Sequence, residues 1–103
     1  MAYRVVFSPE ARDDLTNLYL YIAERSGDVR AMGFVDRIEA QCRGLSDFPE
    51  CGTQRDDVAP GLRIIGFERR VAIAFHIDPG TVTIDRILYG GRDFGMLAGP
   101  GPS

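Results

Sequence analysis

The stretch Gly61–Asp93, GLRIIGFERRVAIAFHIDPGTVTIDRILYGGRD, limits what this chain can become more than any other part of it. Its β-branched and aromatic runs are interrupted by Glu68-Arg69-Arg70 and by Asp78-Pro79-Gly80. In the second interruption proline presets φ and glycine supplies a positive φ, so the chain has to double back. Three consecutive strands are expected, over Leu62–Phe67, Val71–Ile77 and Thr81–Tyr89, paired as a meander. A sheet of this kind needs cover on at least one face, and the rest of the chain must provide it.

The upstream residues read as that cover. Tyr3–Phe7 is a short strand with Tyr3, Val5 and Phe7 on one side. Ser8-Pro9-Glu10 is a helix start: a serine N-cap, proline at the first helical position, and an acid favoured by the helix dipole. Ala11, Leu15, Leu18, Tyr19 and Ile22 follow at core spacing, and Ser26-Gly27 ends the helix. Asp28 is expected to cap a second helix whose buried stripe is Ala31, Phe34, Val35, Ile38, Cys42 and Leu45. A short glycine-containing turn makes the pair an antiparallel hairpin. Residues 46–60, SDFPECGTQRDDVAP, read as a long connecting loop. If the hairpin returns the chain to the end where the first strand stopped, the meander runs down, up, down. The expectation is then a two-layer α+β fold, β-α-α-β-β-β, with an antiparallel sheet of order 1-4-3-2 and the helical hairpin on one face.

At 103 residues the chain is one domain and can bury a core without a metal or disulfide. It has no apolar run of about 18 residues. Nor does it begin with a basic, then apolar leader, so a cytoplasmic protein is expected. Cys42 falls on a helix stripe and Cys51 in a loop; with one histidine in the chain, no metal site and no cofactor is expected. The net charge of −3 argues against direct, sequence-specific nucleic-acid binding. That charge is uneven. Residues 1–57 hold 11 acids and 7 arginines, whereas residues 58–103 hold 4 acids and 5 arginines. Lysine is absent, so every cation can make planar, bidentate contacts to a carboxylate or phosphate.

Strand alternation predicts a second sheet face carrying Ile65, Phe67, Ala72, Ala74, Ile87 and Tyr89, with Arg63, Arg86 and Arg92 in or beside the same strands. A half-apolar face edged by arginine suits an amphipathic, acidic protein segment. Leu20 falls off the main stripe of the first helix and Tyr21 broadens its apolar band, which packing against the second helix or a partner surface would explain. No Walker loop, HExxH, GxSxG or dinucleotide turn is present, and His76 reads as a structural or surface residue.

The run Tyr3-Arg4-Val5-Val6-Phe7-Ser8-Pro9-Glu10-Ala11 with Asp13-Asp14-Leu15 resembles the opening of ParE toxins, of the RelE/ParE superfamily of type II toxin–antitoxin systems. Phe48-Pro49, Gly52, Arg55-Asp56, Pro60-Gly61-Leu62-Arg63 and Arg86-Ile87-Leu88-Tyr89-Gly90-Gly91-Arg92-Asp93 are similar to the rest of that pattern, in order, over about residues 3–93. The resemblance implies a toxin domain over residues 1–93; residues 94–103, FGMLAGPGPS, have no periodicity and are expected to be a mobile tail. It implies a toxin that is neutralised by a ParD-like antitoxin and inhibits DNA gyrase by binding. The antitoxin's C-terminal segment would meet Leu20, Tyr21, Ile65, Phe67, Arg63, Arg86 and Arg92. RelE members of the superfamily instead cut mRNA on the ribosome. On that alternative Arg63, Arg86 and Tyr89 would be the catalytic residues, but an acidic, lysine-free chain departs from the RelE pattern.

Overall fold

The computed structural model describes residues 2–68 and 70–90. Strand β1 is Arg4–Phe7, helix α1 is Pro9–Ser26 and helix α2 is Asp28–Arg43, followed by a 3-10 turn at Gly44–Ser46. Strand β2 is Thr53–Gln54, β3 is Arg63–Phe67, β4 is Val71–Asp78 and β5 is Thr81–Tyr89. The sheet has five strands in the order β1-β5-β4-β3-β2.

The local start signals of α1 hold. The Ser8 side chain accepts from the Ala11 N–H at 3.0 Å and Pro9 opens the helix. The α2 cap does not hold: Gly27, at φ 92°, is the N-cap, and Asp28 is the first helical residue, its carboxylate accepting from the Tyr19 hydroxyl at 3.1 Å. The expected loop between helix and meander contains one strand. Thr53 and Gln54 pair antiparallel with Ile64 and Arg63, so β2 is the sheet's far edge.

The strand directions also differ from expectation. β1 pairs with β5 in parallel, through Arg4↔Thr81 to Phe7↔Ile84, while β3, β4 and β5 are mutually antiparallel. The reason lies in α1. It does not double back over β1 but continues along the half of β5 that projects beyond it. Near its start Ser8 bonds Asp85, one turn on Asp14 bonds Ile87, and two turns further Tyr21 packs on Tyr89. Helix α2 then brings the chain back to the level where β1 began, and Tyr3 and Ser46 exchange hydrogen bonds there at 2.7 Å. The meander therefore runs up, down, up.

Helices and sheet enclose a core in which Phe75, Ile38, Ile73, Ile84, Val82 and Cys42 are fully buried. Each of the large aliphatic or aromatic side chains contributes about 1.5–3 kcal/mol by leaving water. Burial also pushes the Cys42 thiol up to about 12, which makes it chemically quiet.

The expected faces need correction at two places. Ile65 and Phe67 pair with Ile73 and Val71 and pack against the helix-side core, not the opposite face. In β5 the register shifts: Ala74 pairs with Arg86 but Phe75 pairs with Ile84, so Asp85 is an extra, bulged residue. Val82 and Ile84 point to the helices before the bulge, and Ile87 and Tyr89 do so after it. Ala72 and Ala74 are on the opposite face as expected, with Ile64 and Leu62. The connection carrying Val58 and Ala59 covers part of that face.

Candidate functional site

Because β1 is four residues long, it pairs with only the first half of β5. Past Ile84 the β5 edge faces α1 across a notch of about 640 Å³ lined by Asp14, Asn17, Leu18, Tyr21, Arg70, Arg86 to Tyr89 and Gly90. Gly90 donates to the Arg70 carbonyl at 2.9 Å, which puts Val71 and Tyr89 in a pair whose own N–H and C=O groups turn away from each other. Tyr89, like Ile87, therefore directs its backbone polar groups toward the notch.

Asp14 organises the near wall. Its two carboxylate oxygens accept from Arg86 Nε at 2.8 Å and Nη2 at 3.0 Å, and one of them also accepts from the Ile87 N–H at 2.9 Å. One carboxylate thus holds a helix to a strand edge by three charge-assisted bonds. The Asp14 side chain is 14% exposed and that of Arg86 37% exposed. The bond to Asp14 raises the Arg86 guanidinium further above its ordinary value, against a smaller opposing effect of burial.

The upper rim is aromatic. Tyr21 meets Tyr89 edge-on at 5.6 Å, Tyr89 meets Phe34 at 6.0 Å, and Phe34 meets Phe67 at 6.3 Å. Arg25 lies over the Tyr21 ring at 4.0 Å and Arg37 over Phe34 at 5.3 Å. Arg37 is itself held by a bidentate pair with Glu68, whose φ of 48° is left-handed. On the outside of this rim Leu20 is 56% exposed and Tyr21 45% exposed. Val29, Met32 and Phe48 are the other exposed large hydrophobic side chains among the described residues.

The residues singled out in the sequence are thus partly gathered. Tyr21, Arg86 and Tyr89 meet at the notch, and Phe67 joins through Phe34. Leu20 lies next to Tyr21 on the outer side of α1. Ile65 is half-buried in the helix-side core. Arg63 is at the opposite side of the sheet, between β2 and β4, where Nη1 donates to the Cys51 carbonyl at 3.3 Å. Arg63 and Arg86 do not come together. Arg92 lies outside the described residues. Asp14 and Arg70 were not singled out; Asp14 sits in a pair of adjacent aspartates, and only the helix phase tells which of the two reaches the sheet. Among the described residues, no group of three or more His, Cys, Asp or Glu side chains could hold a metal ion. No helix among them is long and apolar enough to cross a membrane.

Comparison with known proteins gives this surface a context. Solved structures of similar fold include the chromosomal ParDE toxin–antitoxin system from P. aeruginosa, with a TM-score of 0.76 and 23% identity, covering 86% of this chain and 97% of that one. The RelBE2 toxin–antitoxin complex from Mycobacterium tuberculosis matches with a TM-score of 0.63 and 21% identity, covering 89% of this chain and 95% of that one. Toxin ParE3 of Caulobacter vibrioides is 31% identical over 87 residues, covering 84% of this chain and 86% of its own length. The family described as "ParE toxin of type II toxin-antitoxin system, parDE" matches residues 5–94. The chain belongs to the ParE toxin family of type II toxin–antitoxin systems.

Proposed function

We propose that this chain is the toxin of a type II module, that a ParD-like antitoxin neutralises it, and that it inhibits DNA gyrase by binding rather than by catalysis. The observation that carries the last part, binding rather than catalysis, is the Asp14–Arg86 pair. A phosphodiester-cleaving site needs uncompensated cations converging on one phosphate, with a proton donor beside them. Here Arg86 is held bidentately by a carboxylate, and Arg63 is at the other side of the sheet. Arg70 also lines the notch, whose aromatic rim and strand edge suit a polypeptide.

The antitoxin's C-terminal segment is placed against Leu20, Tyr21 and the notch, with Phe67 and Ile65 under its rim and acids directed toward the arginines of this end of the sheet. Residues 1–93 act as one toxin domain in the cytoplasm. The test is a supercoiling assay with purified toxin. We expect loss of supercoiling and accumulation of cleaved DNA, both reversed by antitoxin. Unchanged gyrase activity at excess toxin, together with translation-dependent mRNA cleavage, would overturn this target in favour of the nuclease alternative.

A further inference from the structure

His76, the only histidine of the chain, is on the sheet face away from the helices, where its ring sits between two carboxylates. Asp85 Oδ2 is 2.7 Å from Nδ1 and Asp78 Oδ2 is 3.1 Å from Nε2. Carboxylates at neutral pH only accept hydrogen bonds, and a neutral imidazole has one N–H to give. Both contacts can be satisfied at once only by the doubly protonated ring.

The two acids belong to different parts of the sheet. Asp78 ends β4 at the Pro79-Gly80 turn, and Asp85 is the bulged residue of β5. Asp85 also touches the start of α1, since its carbonyl accepts from the Ser8 hydroxyl at 2.9 Å. We propose that His76 is a proton-operated clasp between the β4–β5 turn and the β5 bulge. Protonated, the ring ties both together; deprotonated, it keeps the shorter bond to Asp85 and turns a lone pair toward Asp78, which swings away.

The charges around the ring are few. Arg86 and Glu10 line the same hollow of about 450 Å³, whose remaining wall of Ala59, Pro60 and Leu62 is uncharged. On β1 the nearest charge is Arg4, whose N–H donates to the Gly80 carbonyl at 2.9 Å. The hydrogen bond that the ring donates to Asp85 is the largest influence raising its affinity for its proton; burial opposes it, and the charges of Asp85 and Asp78 add to it. A folded-state value above the unfolded one means that the clasp contributes fully below about pH 6.5 and is lost as pH rises through the folded value. The hairpin tip and the hollow beside it are therefore looser on the alkaline side.

An NMR titration of the imidazole in the full chain tests this directly. The midpoint should lie above about 6.5. The amides of Asp78, Gly80 and Thr81 should shift with that same midpoint, and Asp85→Asn should lower it. In His76→Gln, the fall in urea midpoint between about pH 6 and about pH 9 should disappear. A wild-type midpoint at or below about 6.5, or turn amides that do not follow the ring, would overturn the clasp whether or not the variants fold.

Discussion

Asp14 carries more cohesion than its place in a run of two aspartates suggests. Truncating it leaves the Ile87 N–H without its partner and the half-exposed Arg86 guanidinium without its counter-charge. Losing a charge-assisted bond and stranding a part-buried donor costs roughly 2–3 kcal/mol. The exposure of Arg86 places the expected loss for Asp14→Ala near the lower figure, about 2 kcal/mol, in a urea melt. Asp14→Asn keeps an oxygen for Ile87 and should lose about half as much. If both variants melt like the parent, the three bonds contribute nothing to holding α1 on the strand edge.

At the scale of elements, the glycines at turns separate two physical effects. Gly80 and Gly52 both have φ of 76°, but a Cβ at Gly80 meets open space while one at Gly52 falls 2.5 Å from the Ile64 carbonyl oxygen and Ile65 Cγ2. Gly80→Ala should therefore cost only the left-handed backbone penalty, about 1 kcal/mol. Gly52→Ala adds a collision with backbone that cannot move without unpairing β2, and should cost about 3 kcal/mol in total. Equal losses in denaturant titrations of the two variants would contradict this account.

The same scale shows what was legible beforehand. Ser8-Pro9 and Pro79-Gly80 are signals within a few residues, and both elements begin or turn where those residues dictate. The helix stripes through Leu18, Ile38 and Cys42 were equally plain. The bulge at Asp85 was not, because Thr81–Tyr89 alternates without interruption and only the pairing with β4 shows the slip. Strict alternation without the slip puts Ile87 and Tyr89 on the face away from the helices. For Ile65 and Phe67 no slip was involved: nothing inside a half-apolar strand says which side the helices cover. The parallel placement of β1 depends on α1 outrunning a four-residue strand, which is a relation between elements and has no local signature. Of the site, Tyr21, Arg86 and Tyr89 were legible as polar or aromatic residues out of place; Asp14 needed the helix phase.

For the whole molecule, the proposed antitoxin surface makes a separable claim. Leu20 is more than half exposed on the outer side of α1, so Leu20→Glu should leave the melting temperature within about 2 °C of the parent. Binding of the antitoxin's C-terminal segment, by calorimetry, should weaken at least about tenfold, or 1.4 kcal/mol. Unchanged affinity would move the partner to another surface, such as the groove on the outer side of the hairpin floored by Leu15, Tyr19, Met32 and Val35.

The position of β5 has a consequence for when this protein can exist. It lies between β1 and β4 and against α1, so a strand from late in the described chain holds together elements from its start. Ser8 waits for a carbonyl 77 residues further along the chain. A nascent polypeptide that has not yet released Thr81–Tyr89 has β1 without a neighbour and the hairpin without its floor. Such long-range closure is slow compared with helix formation. The first elements therefore gain their native neighbours only once Thr81–Tyr89 has paired with β1 and β4.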